Sequence, residues 1–366
     1  LESAAEEADL VLTSGATSAG ATDVLVEIVE EIGEVQVHGV AIKPGKPTIV
    51  GRIDGTPYVG LPGYPVSALS VFRELVAPAI DAREDGWDRS VSARTARELR
   101  NDGGRHRLYA VGLVTDADGD RIAYPVDRGS GATTSLAYAD GVVEIPAEQN
   151  YVAADDRVTV DLFDRESTPA SVLCVGVRDP VVTAVVASVG RARALVRPGR
   201  TASRWLSDGI ADAAVTTGDG PADGAERVAV FEREWGLVVD PALADSIGSL
   251  ADLRGRRFVT LARETGLREA FDERVAAELD GELLSIVAGY AERAGFESAR
   301  ERVESGDADA ALGLRPESGE PLAFVPLGTQ RIAVDIAQQR REKPGVLALT
   351  DALSTAELPA GYERVR

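Results

Sequence analysis

One stretch limits what this chain can become more than any other. It runs Val40-Ala41-Ile42-Lys43-Pro44-Gly45-Lys46-Pro47-Thr48, passes through a short hairpin, and continues Gly60-Leu61-Pro62-Gly63-Tyr64-Pro65-Val66-Ser67. Proline fixes φ and glycine opens conformations closed to other residues, so both loops have a restricted backbone before any packing. The chain has three lysines, Lys43, Lys46 and Lys343, among 39 Lys and Arg, and two of them flank Pro44-Gly45. An ammonium is a compact charge that reaches phosphate or oxyanion oxygens without the planar demand of a guanidinium. Two ammonium groups held close repel unless an anion sits between them. The residues alone leave two readings open: solvated loop lysines, or an oxyanion clamp.

The flanking sequence sets this stretch in an α/β frame. Asp9-to-Thr13 is an apolar run of strand length, followed by the small-residue loop Ser14-Gly15-Ala16-Thr17-Ser18-Ala19-Gly20. Val24, Leu25, Ile28, Val29 and Ile32 then recur at helical spacing up to Gly33. A strand, a small-residue loop and a helix aim backbone N–H groups at a phosphate, although any strand-to-helix turn favours glycine. Val35-to-Ile42 reads as a strand, and Asp54-Gly55 between two apolar runs as a hairpin turn. Pro65 suits a first helical position, and Val66, Leu69, Phe72, Leu75 and Val76 give an apolar face that ends near Pro78. Loops 14–20, 43–47 and 62–67 each follow a strand, and in an open α/β sheet such loops gather at the carboxyl edge where ligands bind.

The pattern changes after about Asp81. Short strand candidates at 90–99, 108–115, 122–125, 142–145 and 157–162 predict a small all-β domain. It contains Gly104-Arg105-His106-Arg107, Gly129-Ser130-Gly131 and Ser135-Leu136. Asp164-to-Ala170 is a polar linker. Beyond it strands and helices alternate: strands at 171–177, 211–216, 257–261, 308–314 and 322–325, a strand pair over 227–239, and helices at 181–189, 268–279 and 289–303. The expected domains are 1–83, an α/β domain; 84–165, a small β domain; and 171–366, a two-lobed α/β domain.

Composition narrows the partners. The formal charge is −21, with the acids spread along the chain, which disfavours nucleic acid and anionic membranes. Many Asp and Glu with few Lys is the surface expected of a halophilic protein. No apolar run reaches the roughly 20 residues of a membrane helix, and one cysteine, Cys174, allows no disulfide framework. These features give a cytoplasmic expectation. The two histidines, His38 and His106, form no His–Cys cluster, so zinc is not expected, and no Ser-His-Asp arrangement can be drawn. The chain begins in helix-like sequence and without Met, which reads as the interior of a domain and hence as a fragment.

With these residues in place, the first half resembles the molybdopterin molybdenumtransferase (MoeA) family. Thr13-Ser14-Gly15-Ala16-Thr17-Ser18-Ala19-Gly20-Ala21-Thr22-Asp23 is similar to its T-S-G-G-x-S-x-G-x-x-D loop. Ala41-to-Pro47 matches A-I-K-P-G-K-P, and Gly60-to-Ala68 resembles G-L-P-G-N-P-V-S-A, in the family's order and spacing. Ala16 and Tyr64 depart from it: Ala16 narrows the loop's freedom, and Tyr64 puts an aromatic hydroxyl where an amide is usual. The β region resembles the family's C-terminal domain through Gly104-Arg105 and Gly129-Ser130-Gly131 with Ser135-Leu136. The second half resembles a periplasmic-binding-protein-like domain of the LysR-substrate type, chiefly through Glu304-to-Gly313.

The resemblance implies insertion of molybdate or tungstate into adenylylated molybdopterin with release of AMP, with Mg²⁺, by a homodimer whose site draws on both subunits. Lys43 and Lys46 would take substrate oxyanions. Ser14, Gly15, Ser18, Gly20, Pro62, Gly63, Ser67 and Arg105 would contact substrate, and Asp23 would act at the metal. On residues alone, Asp23 is an ordinary first-turn acid and Ser67 could satisfy its own turn. Two other functions stay in view. Molybdopterin adenylyltransferase is one, disfavoured by the lysine and Leu-Pro-Gly-x-Pro loops. The other is a non-catalytic oxyanion-binding or regulatory protein that works through the second half. There Thr265-Gly266-Leu267-Arg268 opens a helix suited to an anion, but with one hydroxyl and Glu264 beside it docking or regulation is favoured over anion sensing.

Overall fold

The computed structural model describes residues 1–15, 22–81, 90–126, 138–164, 166–218, 220–279, 283, 287–316 and 321–365. Ser18, Gly20, Gly129-Ser130-Gly131 and Ser135-Leu136 lie outside them, as does the side chain of Asp23. The chain divides into two compact units, Leu1–Pro169 and Ala170–Arg366.

The first unit begins with α1 (Glu2–Glu7), β1 (Val11–Ser14), α2 (Thr22–Ile32) and β2 (Gly33–His38). β3 (Ile42–Lys43), β4 (Ile49–Ile53) and β5 (Thr56–Leu61) follow. A four-stranded sheet has the order β1-β5-β4-β2, with β1 and β5 parallel and the other pairs antiparallel. The Asp54-Gly55 turn forms as predicted, both residues at positive φ, with Ile53 opposite Thr56. Val11, Val29, Ile49, Ile53 and Tyr58 form its core. Along α2 the buried face is carried by Leu25, Val26, Val29 and Ile32, and Val24 points outward.

Two expectations need correction here. The predicted strand 35–42 is two strands in different sheets. Gly39, at φ +90, turns the chain out of β2, and β3 joins a second sheet by pairing parallel with β8 (His106–Thr115). The lysine loop therefore does not follow a strand of the sheet that carries the other two loops. The helix after loop 62–67 is described to Asp81, with Pro78 near its end as expected, but its apolar face is not one regular stripe: α3 (Pro65–Val71) is followed by a π-helical turn Phe72–Val76 and then α4 (Ala77–Asp81). Pro78 has no N–H for the Glu74 carbonyl, and the turn widens to bond Ala77 N to Phe72 O instead. Val66, Val71 and Val76 are buried while Leu69 and Leu75 face out, and beyond the turn the extra residue is what brings Val76 rather than Leu75 inward.

The β region adds β6 (Ser90–Thr95), β7 (Leu99–Arg100), β8, β9 (Arg121–Pro125), β10 (Gly141–Ile145), β11 (Tyr151–Val152) and β12 (Arg157–Leu162). The second sheet runs β10-β12-β6-β9-β8-β3, and β10 also pairs with β8, which closes five strands into a ring around Val111, Leu113, Val143, Ile145 and Val160.

The second unit has β13 (Val172–Gly176), α5 (Pro180–Ser188), β14 (Ala192–Val196), α6 (Gly199–Ser207), β15 (Ala213–Thr216) and β16 (Ala225–Val239). Then come β17 (Arg257–Leu261), α7 (Leu267–Leu279), β18 (Gly289–Arg293), α8 (Phe296–Glu304), β19 (Ala310–Leu314), β20 (Ala323–Ala337), α9 (Pro344–Thr355) and β21 (Tyr362–Arg364). The predicted strand pair over 227–239 is one continuous strand, and 289–303 is a strand followed by a helix. One nine-stranded sheet runs β14-β13-β15-β20-β16-β19-β17-β18, with β21 on β16. It carries two separate cores. One lies around Val172, Val215, Phe231, Val334 and Leu349, the other around Trp235, Leu237, Phe258, Phe271 and Leu312. β16 and β20 pass from one to the other, which makes the unit two α/β lobes on a shared antiparallel ribbon. Among the described residues no helix is long and apolar enough to cross a membrane.

Cys174 lies on β13, 2% exposed, and burial, with Asp212 adding to it, pushes its thiol up to about 12. Iodoacetamide is therefore expected to modify it only as fast as the second unit unfolds. Mass spectrometry along a urea series checks this, and full labelling of the native chain would contradict it.

Candidate functional site

Loop 1 (14–20), through its described residues Ser14 and Gly15, meets loop 3 (62–67) because β1 and β5 are parallel neighbours. Ser14 lies opposite Leu61, and Gly15 N donates to Leu61 O at 3.4 Å. Gly15 has φ +92, and a Cβ on Gly63 would sit 3.3 Å from the Gly15 Cα. The two glycines thus let the ends of the two loops touch. Pro62 is buried, while Ser14, Gly63 and Tyr64 are exposed, so a polar, backbone-rich surface opens at the carboxyl end of this strand pair. Ser67 is 4% exposed in the first turn of α3.

The lysine loop is fastened on three sides. Thr48 Oγ1 donates to Gly45 O at 2.7 Å, Val40 N donates to Lys46 O, and Gly39 N donates to Thr48 O. Gly45 has φ +141, and a Cβ there would lie 2.5 Å from Val71 Cγ2. Only glycine lets the loop press against α3, which loop 3 opens. Lys43 is half-buried and Lys46 exposed. Through the β3–β8 pairing Ile42 lies beside His106 and Lys43 beside Arg107, and His106 N donates to Ala41 O at 2.8 Å.

That pairing places Gly104-Arg105 next to Ala41-to-Lys43. Gly104 takes φ +55, and Asn101 Nδ2 donates to Arg105 O at 2.9 Å, which fixes the turn that carries Arg105. Asp23 is the second residue of α2, just beyond loop 1. The charges near the pairing crowd together. Burial, then Glu144, pushes the Glu74 carboxyl up to about 7, and Arg73 and Asp161 act on it as well.

In the second unit, Thr265-Gly266-Leu267-Arg268 does open α7, but its groups are committed internally. Arg268 bonds Asp272 at 2.6 Å and Glu292 at 3.0 Å. Arg233, 0% exposed on β16 between the two cores, ion-pairs with Asp179 at 3.0 Å and donates to Gln330 and to the carbonyls of Arg178 and Thr265. Gln330 Nε2 donates to Gly266 O, and Tyr362 OH donates to Asp179 at 2.8 Å. Burial, then Asp179, raises the Tyr362 hydroxyl above its ordinary pKa. This network joins the lobes at their crossing, and sequence reasoning missed it. A signal existed: Phe231, Arg233, Trp235 and Leu237 share one strand face by period two, and the arginine alone is polar.

The first unit thus combines an α/β sheet with a closed β ring, and the second is two α/β lobes on one antiparallel ribbon. Comparison gives the particular domains. Residues 1–82 match the probable molybdopterin binding domain, 92–163 the MoeA C-terminal region (domain IV), and 208–354 the PBP superfamily domain. The chain is 31% identical over 170 residues to the molybdopterin molybdenumtransferase of Haemophilus influenzae, a match covering 44% of this chain and 41% of the relative. It is similar to the molybdopterin biosynthesis MoeA protein of Pyrococcus horikoshii, with 41% identity, a TM-score of 0.37, and coverage of 44% of this chain and 39% of that one. The C-terminal domains of a LysR family protein from Agrobacterium tumefaciens match with 15% identity, a TM-score of 0.37, and coverage of 52% and 99%. The chain thus spans about two fifths of the length of the molybdopterin relatives it matches.

Asp179→Ala removes the acceptor of Arg233 and Tyr362 and the side-chain cap of α5. Leaving Arg233 buried without its partner is expected to cost about 3–5 kcal/mol. Urea unfolding followed by Trp205 and Trp235 fluorescence measures it, and a loss below about 1 kcal/mol would contradict the clamp.

Proposed function

We propose that this chain takes part in molybdenum cofactor biosynthesis, and that its first unit contributes to inserting molybdate or tungstate into adenylylated molybdopterin with release of AMP. The observation that carries the reading is the junction of three motif loops: Gly15 against Gly63, and Gly45 against the helix that Gly63-Tyr64 opens. The chemistry asks for donors and fixed cations around several anions. Ser14, Gly15 and Gly63 offer backbone and hydroxyl groups, with Ser18 and Gly20 further along loop 1. Lys43 and Lys46 supply positive charge from a loop that does not have to be ordered on binding, so less binding energy goes to ordering. Arg105 enters from the β region. The homodimer is part of the same proposal.

Mg²⁺ fits the donor chemistry at Asp23, since a carboxylate is the hard oxygen ligand that this ion takes. When bound it would neutralise charge on the phosphate oxygens. The second unit is read as a docking or regulatory domain. Its central arginine and the carbonyls before α7 already bond one another, which speaks against an oxyanion between the lobes.

Two expectations follow. Lys43→Gln and Lys46→Gln should each weaken binding of adenylylated molybdopterin or molybdate by about 1.5–3 kcal/mol, the scale of a charged hydrogen bond, with little change in unfolding. Titration calorimetry reads it, and unchanged affinity in the double variant would reduce the loop to solvated structure. Asp23→Asn should abolish Mg²⁺-dependent insertion with far-UV circular dichroism unaltered, while insertion at the wild-type rate would remove Asp23 from the metal.

A further inference from the structure

The first unit brings together three side chains that no motif connects. Glu74 lies on the π-helical turn, His106 opens β8, and Glu144 lies on β10. One ligand atom from each lies within 4.8 Å of the other two. The fold explains the meeting. β8 and β10 are antiparallel with Glu144 opposite Leu108, so His106 is its diagonal neighbour on the same face. The π-helical turn is fastened to β12, which pairs with β10: Arg73 Nη1 donates to Asp161 O at 3.3 Å, and its guanidinium covers the Phe163 ring at 5.3 Å. His106 and Glu74 are half-buried.

His106 Nε2 lies 3.6 Å from Glu144 Oε2. That is too long for a hydrogen bond. An ion bonded to nitrogen and oxygen at about 2.0–2.2 Å holds adjacent ligand atoms roughly 3.3–3.6 Å apart. We propose that Glu74, His106 and Glu144 bind one divalent transition-metal ion of the zinc class. An imidazole with two carboxylates is a mixed nitrogen and oxygen set, which suits Zn²⁺, Co²⁺ or Mn²⁺. Mg²⁺ takes oxygen and would stay with carboxylates elsewhere. Three protein ligands leave a coordination position open. The ion would tie the helix after loop 3 to the strand that holds the lysine loop. The inference does not depend on the function proposed above.

The test uses the full chain, stripped with a chelator and titrated with Zn²⁺. The sequence has two histidines, so nitrogen-labelled imidazoles give two resolvable sets of NMR signals. Zn²⁺ should move the His106 ring signals at one equivalent and leave those of His38 in place, while Mg²⁺ at the same concentration should move neither. His106→Gln and Glu74→Gln should each weaken Zn²⁺ binding about tenfold or more. Equal movement of both histidines, or unchanged Zn²⁺ affinity in both variants, would overturn the site. The wild-type spectrum decides the matter even where a variant fails to fold.

Discussion

The first unit depends on a two-residue strand. Ile42 and Lys43 leave the α/β sheet and pair with His106 and Arg107 of the closed β ring. This pairing lets the lysine loop be pressed on α3 from one side and held by β8 on the other. It also puts the turn that carries Arg105 beside the loop. Without it the lysine loop would keep its contact with α3 but lose its fixed place beside the turn that carries Arg105. The glycines answer the same constraint: Gly39 turns the chain toward the second sheet, and Gly45 removes the side chain that would hold the loop away from Val71. A restricted backbone at this point is a requirement of the assembly as much as of any ligand.

The second unit is organised by a different interaction. A charged side chain in an apolar strand face is costly unless its partners are complete. Arg233 meets that demand with Asp179 from one lobe, the Thr265 carbonyl from the other, and Gln330 from the second crossing strand. The site where the lobes meet is therefore filled by the protein's own polar groups. Asp212 plays a comparable part under β13, where it accepts from Leu173 N and pairs with Arg340 and Lys343.

Much of the architecture was legible in the chain because local chemistry decided it. The Asp54-Gly55 turn, the short strands after residue 90 and the alternation after residue 170 formed near their predicted places. The errors came from tertiary effects. The face from Val66 to Val76 read as one regular helical stripe, but ahead of Pro78 the helix widens by one turn. The strand at 35–42 read as continuous because sequence cannot show which sheet a residue joins. Loops 1 and 3 were legible as motifs, and their contact through Gly15 and Gly63 follows from strand order. Glu74, His106 and Glu144 lie on three elements distant in sequence, and no spacing rule links them. Arg233 was visible as a break in an apolar face, yet its partners were not.

The uneven use of the two basic side chains has a consequence for chemistry done to this protein rather than by it. Of its three lysines, Lys343 is 7% exposed and held by both oxygens of Asp212. Every other strongly basic side chain is an arginine, which acylating reagents at neutral pH leave alone. The exposed side-chain amine is thus that of Lys46, on the fastened loop. A dye, a crosslinker or an acetyl group aimed at lysine would report on that loop almost exclusively, in a protein whose surface otherwise offers it carboxylates and guanidinium groups.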